Sequence, residues 1–261
     1  MDLNKTLEIV IKVAHKAGAY LREEQSKLVE SAIEKKNTRN YVTYIDKEAE
    51  KLIVSELSEA FPETGFLTEE ETIVNEVKEW TWIIDPLDGT TNYVNGDTSY
   101  TVSIALQHNN KTVLGVVYDP LLEELYCATT DSKATLNNKL ISVSNHSTIT
   151  DAFIGFGVPY TLDTESEAIL KRASLQYSKA SFRIKGSAAV EICYVAAGRY
   201  DVFFHSGLSP WDVAAASFIL QQAGGKNKDF KNGDNYIFGR ELIASNGHMH
   251  NEIMKHIIND K

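Results

Sequence analysis

The sequence predicts an α+β protein made of stacked helix and sheet layers. Three observations carry that prediction. Helical periodicity fills the opening stretch, short strand patterns punctuated by turn signals fill the middle, and helix alternates with strand towards the end. No Pro/Gly/Ser-rich linker, internal repeat or low-complexity tract divides the 261 residues, so one domain over residues 1–261 is expected.

Leu3, Leu7, Val10, Ala14, Ala17 and Leu21 recur at helical spacing with charged residues between them, which predicts an amphipathic helix reaching about Leu28. A second helix follows Asp46, buries Ala49, Leu52, Ile53, Leu57 and Ala60, and is ended by Pro62. Gly65-Phe66-Leu67 and Trp80 to Ile84 are short apolar strands that each run into acidic residues. Thr101 to Leu106 and Val113 to Tyr118 read as antiparallel strands around an Asn109-Asn110 turn, and Leu125 to Thr129 and Leu140 to Val143 extend that sheet. Phe153 to Phe156, Asp201 to Phe204 and Leu242 to Ala244 read as strands. Thr164 to Tyr177, Ser187 to Ala197, Pro210 to Ala223 and Met249 to Ile258 read as helices. Gly198 stops the second of these, while Pro210 opens the third and Gly224-Gly225 closes it.

Composition excludes several classes. The 36 acidic residues against 26 basic ones give a formal charge of −10, without the basic footprint that binds nucleic acid polymers or anionic membranes. A small anionic substrate held through metal ions stays compatible with that charge. Two cysteines, Cys127 and Cys193, make no disulfide framework and suit a reducing compartment. Lys12 and Lys16 interrupt the start before a signal-type apolar stretch forms, and the Val213 to Leu220 run is far short of the ~20 residues of a membrane helix. A cytoplasmic location is expected.

The chemistry sits in Trp82-Ile83-Ile84-Asp85-Pro86-Leu87-Asp88-Gly89-Thr90-Thr91-Asn92. An apolar strand ends in two carboxylates with a proline between them, which places Asp85 and Asp88 on one side of a tight turn. With the Leu87 carbonyl they form a hard-oxygen donor set suited to Mg²⁺. Gly89 allows close backbone approach, and the Gly89 and Thr90 amides can donate to a phosphate if a helix starts there. A surface Asp-Pro turn capping a helix explains the same residues. A calcium loop does not, because counting from Asp85 puts Leu87, Gly89 and Gly96 at liganding positions. Glu69, Glu70 and Glu71 read as a solvated edge or as carboxylates at a strand end. Asp46 and Asp212 read as helix caps or as site residues.

Taken together the segments resemble the inositol monophosphatase family of Mg²⁺-dependent, lithium-sensitive phosphatases, over nearly the whole chain and in order. Trp82 to Asn92 resembles its central signature, Tyr41 to Asp46 its upstream Leu-Val-Thr-x-x-Asp element, and Thr68-Glu69-Glu70 its Gly-Glu-Glu element. Gly186-Ser187-Ala188-Ala189 and Trp211-Asp212-Val213-Ala214 resemble its two C-terminal motifs. The resemblance implies a layered α-β-α-β-α sandwich of the inositol monophosphatase/fructose-1,6-bisphosphatase type, two or three Mg²⁺ ions, and a homodimer. It implies that Glu69, Asp85 and the Leu87 carbonyl hold the first ion and that Asp85, Asp88 and Asp212 hold the second, with Glu70 behind them. Thr90, Asp46 and Glu69 serve catalysis, Thr90 orienting the attacking water and donating its hydroxyl to Asp46. Gly89, Thr90, Ser187, Ala188 and His205 face the substrate. Two cations roughly 4 Å apart would activate water and stabilise the leaving alkoxide, on phosphate monoesters whose enzymatic acceleration reaches ~10²¹-fold.

Three departures leave the metal ligands in place. His205 stands where inositol-specific members carry a glutamate, which weakens inositol specificity, Thr68 replaces a glycine and Asn40 replaces a frequent aspartate; the family lysine matches either Lys35 or Lys36. The expected substrate is a small polyol or sugar-like monophosphate, myo-inositol 1-phosphate first. Adenosine 3′,5′-bisphosphate, fructose 1,6-bisphosphate and histidinol phosphate are the alternatives. A non-catalytic binding protein on the same fold is the reading from another class.

Overall fold

The computed structural model describes residues 1–28, 33–37, 40–150, 152–159 and 163–258; the side chains of 33–37, 40–43 and 165 lie outside that description. Lys35, Lys36 and Asn40, singled out above, are among these, so their side-chain roles fall outside the described residues. The chain runs α1 (Leu3–Gln25), β1 (Ile33–Asn37), β2 (Asn40–Thr43), α2 (Tyr44–Ala60), β3 (Gly65–Thr68), β4 (Trp80–Asp88), α3 (Thr90–Val94), β5 (Thr101–His108), β6 (Lys111–Asp119), β7 (Glu124–Thr129), β8 (Ser132–Leu136) and β9 (Lys139–Leu140). It continues with β10 (Phe153–Phe156), α4 (Thr164–Ser174), β11 (Ser181–Arg183), α5 (Ala188–Ala196), β12 (Val202–Ser206), α6 (Pro210–Gln222), β13 (Lys226–Lys228), β14 (Glu241–Ser245) and α7 (His250–Ile253), which passes into a π-helical turn at Met254–Ile258.

These elements stack in five layers. On the outside, α1 and α2 bury Val10, Val13, Ala14, Leu21, Ile53 and Leu57 against one face of a seven-stranded sheet ordered β3-β4-β5-β6-β7-β8-β9. The Asp2 carboxylate caps α1 by accepting from the Asn4 and Lys5 amides at 3.1 and 3.2 Å. On the other face lie α5 and α6, apolar all round because they are covered on both sides. Beyond them is a five-stranded sheet ordered β11-β10-β12-β14-β13. Its far face carries Ile154, Phe156, Phe182, Phe204 and Ile243 under α4 and α7. This is the α-β-α-β-α sandwich. Among the described residues no helix is long and apolar enough to cross a membrane.

Most predicted elements form as expected, with differences at sheet edges. The Asn109-Asn110 turn joins β5 to β6 with both residues left-handed (φ 51° and 63°), the conformation a two-residue hairpin requires. The strand expected over Leu140 to Val143 pairs only at Lys139–Leu140. Val143 instead donates its amide to the Ala223 carbonyl at the end of α6. The strands β8, β11 and β13 were not expected; they are short and carry too few apolar residues to alternate.

Gly115 of β6 shows how tightly the middle layer is set. A Cβ there would stand 2.7 Å from the Ala215 carbonyl of α6, so helix and sheet meet backbone to backbone. Gly115→Ala is expected to destabilise the fold by about 1–3 kcal/mol. Urea unfolding with a lower midpoint and an unchanged slope checks this.

Candidate active site

The strand β4 runs on through Pro86 to Asp88 instead of ending in the tight turn expected from the sequence. Its register against β5 slips there: Asp85 faces Ser103, but Asp88 faces Thr101, so one extra residue is accommodated on β4. That is a β-bulge, and it has a direct chemical consequence. Side chains three apart on a regular strand point to opposite faces; one inserted residue returns Asp85 and Asp88 to the same face. Pro86, with no N–H to give the ladder, is tolerated at such a bulge. The Leu87 amide donates to Asp85 Oδ1 at 2.9 Å, which fixes that carboxylate, and the Leu87 side chain is buried in the core.

Behind the bulge Gly89 precedes α3 with φ 99°, and a Cβ there would lie 2.8 Å from the Ser99 carbonyl; both facts demand glycine. Thr90 opens α3, and its hydroxyl lies 3.1 Å from Asp46 Oδ1 and 3.1 Å from the Leu87 carbonyl. Asp46 sits in the first turn of α2, almost fully buried. The Thr90–Asp46 pair is therefore formed as expected. Asn92, also in the signature, donates to the Ser99 and Lys185 carbonyls, both at 2.6 Å, and so ties this segment to the Gly186-Ser187 turn.

Asp88 is clasped from the other side of the sandwich. Its Oδ2 accepts from the Ser187 hydroxyl at 2.6 Å and from the Ala189 amide in the first turn of α5 at 2.7 Å. Ser187, expected to face substrate, is buried with its hydroxyl given to Asp88, and Ala188 beside it is buried as well. Asp212 lies in the first turn of α6, where its Oδ2 accepts from the Ser209 amide at 2.7 Å. Asp212 is thus a helix cap, and it also stands close enough to Asp85 and Asp88 to interact with both.

Burial and mutual repulsion dominate the electrostatics. Asp85 is pushed well above the usual carboxylate range, first by loss of hydration, then by the charges of Glu69, Asp88 and Asp212. Burial pushes Asp88 up to about 6, against the pull of its Ser187 and Ala189 bonds. Burial and then the Asp88 charge push Asp212 up to about 7, moderated by the Ser209 amide and the Arg240 guanidinium. Arg240 donates to the Gly207 carbonyl at 3.0 Å in the loop leading to α6. Among the described residues no three carboxylates close into a finished ligand shell, yet four lie near enough to disturb one another. Asp85 and Asp212 lie close enough to share a side-chain hydrogen bond. A donor set made only of oxygens, with Asp85, Asp88 and Leu87 buried and Glu69 and Asp212 half-buried, fits Mg²⁺. Glu69, Asp85, Asp88, Asp212 and the Leu87 carbonyl are the residues that would hold it.

His205 is the penultimate residue of β12, half-exposed at the surface yet packed among enough protein that lost hydration pushes its pKa down to about 4. Its Nδ1 meets the Ser206 carbonyl, and its ring covers Gly157, where a Cβ would collide with it. Ser187, expected at the substrate, instead gives its hydroxyl to Asp88. Glu50 of α2, one acidic residue in a charged helix, has no signal in the sequence apart from its position one turn after Asp46.

A family model described as "Inositol monophosphatase family" matches residues 2–260. The chain is 37% identical over 257 residues to a Vibrio cholerae protein named Nus factor SuhB, covering 98% of this chain and 96% of that one. It is 34% identical over 257 residues to a Mesorhizobium japonicum protein named inositol-1-monophosphatase, covering 98% and 97%. The solved extragenic suppressor protein suhB of Bartonella henselae superposes with a TM-score of 0.92 at 32% identity, covering 98% of this chain and all of that one. With the layered fold and the five sequence elements in place, this chain belongs to the inositol monophosphatase family.

Proposed function

We propose that this protein is a Mg²⁺-dependent phosphomonoesterase acting on a small polyol or sugar-like monophosphate, with myo-inositol 1-phosphate the first compound to test. The observation that carries the proposal is the Thr90–Asp46 hydrogen bond standing beside a buried, proton-attracting carboxylate set. The name of the Mesorhizobium japonicum relative supports the substrate class.

Each residue has a defined task. Asp46 accepts the Thr90 proton and so turns the Thr90 oxygen lone pairs outward, where they accept a hydrogen bond from water and aim it at phosphorus. The Gly89 and Thr90 amides, at the start of α3, offer donors to phosphate oxygens. Ser187 and the Ala189 amide hold Asp88 still, and Ser209 holds Asp212. Bound divalent cations would lower the pKa of water and offset the charge of the phosphoryl group and its leaving oxygen. His205, neutral at pH 7, replaces a charged acceptor at the substrate side, so we propose a preference that differs from a strict inositol phosphatase.

Phosphate release should be measured on a panel of myo-inositol 1-phosphate, fructose 1,6-bisphosphate, adenosine 3′,5′-bisphosphate and histidinol phosphate, with Mg²⁺, without it, and with lithium. Turnover of at least one compound is expected only with Mg²⁺, inhibited by lithium, and Thr90→Ala should lower it by roughly 10²-fold or more. Silence on every compound with Mg²⁺ present overturns the proposal. It would favour a non-catalytic role, the second reading, which the Nus-factor name of the Vibrio cholerae relative supports. We propose a homodimer as the working form; sedimentation of the purified protein tests it.

A further inference from the structure

The acidic turn after β3 is built on a buried carboxylate outside the ligand set. Glu50 of α2 is fully buried. Its Oε1 accepts from the Thr72 amide and the Thr72 hydroxyl, each at 2.7 Å, and from the Thr68 hydroxyl at 3.0 Å; its Oε2 accepts from the Glu70 amide at 2.7 Å. All four donors come from residues 68–72, the segment that carries Glu69. Within it Glu71 is left-handed with φ 51°, a conformation that favours glycine or asparagine, so this turn needs anchoring from outside. Three consecutive glutamates also repel one another and, left alone, spread into solvent. The segment is fixed at its start as well. The Thr68 amide donates to Asn75 Oδ1 at 2.8 Å, and the Glu69 amide reaches the Ile84 carbonyl at 3.3 Å, next to Asp85.

We infer that Glu50 is a positioning residue for the metal site: through the Glu70 and Thr72 amides it sets where the Glu69 carboxylate stands relative to Asp85. Both oxygens of Glu50 only accept, which is why a carboxylate rather than an amide fits here. Glu50→Gln keeps the volume and the three bonds at Oε1, but sets an NH₂ group against the Glu70 N–H. The lesion falls on the residue adjoining Glu69. The inference rests on the proposed Mg²⁺ site.

The test is calorimetric titration of Mg²⁺ into the chelator-stripped full-length protein, with melting recorded in chelator and rates recorded against Mg²⁺ concentration. Glu50→Gln is expected to bind Mg²⁺ roughly 10–100-fold more weakly and to need correspondingly more Mg²⁺ for half its maximal rate, while kcat at saturating Mg²⁺ stays near that of the native protein. A variant that melts lower in chelator but binds Mg²⁺ with native affinity has lost a structural support only, and that overturns the inference. Thr72→Val removes one hydroxyl donor and leaves its amide bond, so it reports even if Glu50→Gln does not fold. It should weaken Mg²⁺ binding about fivefold, and native affinity there overturns the inference too. Native protein that binds no Mg²⁺ overturns the proposed function along with it, whereas native binding unchanged in both variants overturns this inference alone.

Discussion

Asp85→Asn should abolish turnover and yet raise the melting temperature of the metal-free protein. The residue is 1% exposed and faces three further carboxylates, so its ionised form is disfavoured by burial and by repulsion together. Asparagine has the same shape and retains an oxygen to accept from the Leu87 amide, so the bulge keeps its geometry. What disappears is a charge that the metal-free fold tolerates poorly. Relief of about 1–2 kcal/mol corresponds to a rise of roughly 2–8 °C at this chain length. Activity moves the other way. Losing several kcal/mol of transition-state charge stabilisation is a drop of at least ~10³-fold. Calorimetric melting in chelator, paired with phosphate release in Mg²⁺, reads both. A variant that melts below the native protein in chelator contradicts the electrostatic account, and one that stays active contradicts the proposed role of Asp85.

Stabilisation by Mg²⁺ should grow steeply with pH. Asp88 and Asp212 release their protons near 6 and 7 in the folded protein, against an ordinary value of 3.8. Between pH 4 and 7 the folded chain therefore binds more protons than the unfolded chain, and its stability falls as pH rises through that window. Glu191, buried in α5 and pushed up to about 8 by burial, extends the same trend upward. His205 and His250, both pushed down to about 4 by burial, act in the opposite sense below pH 6.5. The carboxylate contribution is separated from theirs by comparing metal-free and Mg²⁺-loaded protein at each pH. Mg²⁺ at a hundredfold excess over its Kd adds about 2.7 kcal/mol, or roughly 5–11 °C. That increment should be largest near pH 8 and small at pH 5, where protons compete for the same oxygens. An increment that does not change with pH would detach Mg²⁺ from these residues.

What the sequence made legible follows the physics of each element. Alternation and turn chemistry suffice for β5, β6 and β7, and apolar helices closed by glycine or opened by proline suffice for α5 and α6. The strands β11 and β13 lack any such pattern, because edge strands are ordered by a neighbour's backbone rather than by their own side chains. At the site, Asp85 and Asp88 are visible as a pair, but the bulge that puts them on one face depends on pairing with β5, which no local spacing encodes. Glu69 and Asp212 are each equally well explained by a solvated edge and a helix cap, and only the family resemblance joins them to the pair. Glu50 is hidden for a simpler reason. On a helix carrying Lys47, Glu48 and Lys51 a further charge looks solvated, and its burial becomes apparent only when the acidic turn folds over it.

The placement of Asp212 on α6, between the two sheets, bears on how the molecule matures. Its partners on β4 emerge from the ribosome in the first half of synthesis, whereas α6 emerges near the end. A chain that stops before α6 holds Glu69, Asp85 and Asp88 but lacks the fourth carboxylate, so the full charge cluster forms only when synthesis is nearly finished. Under the proposed function, capture of a divalent ion would be a final latch, accessible only to chains that have already packed correctly.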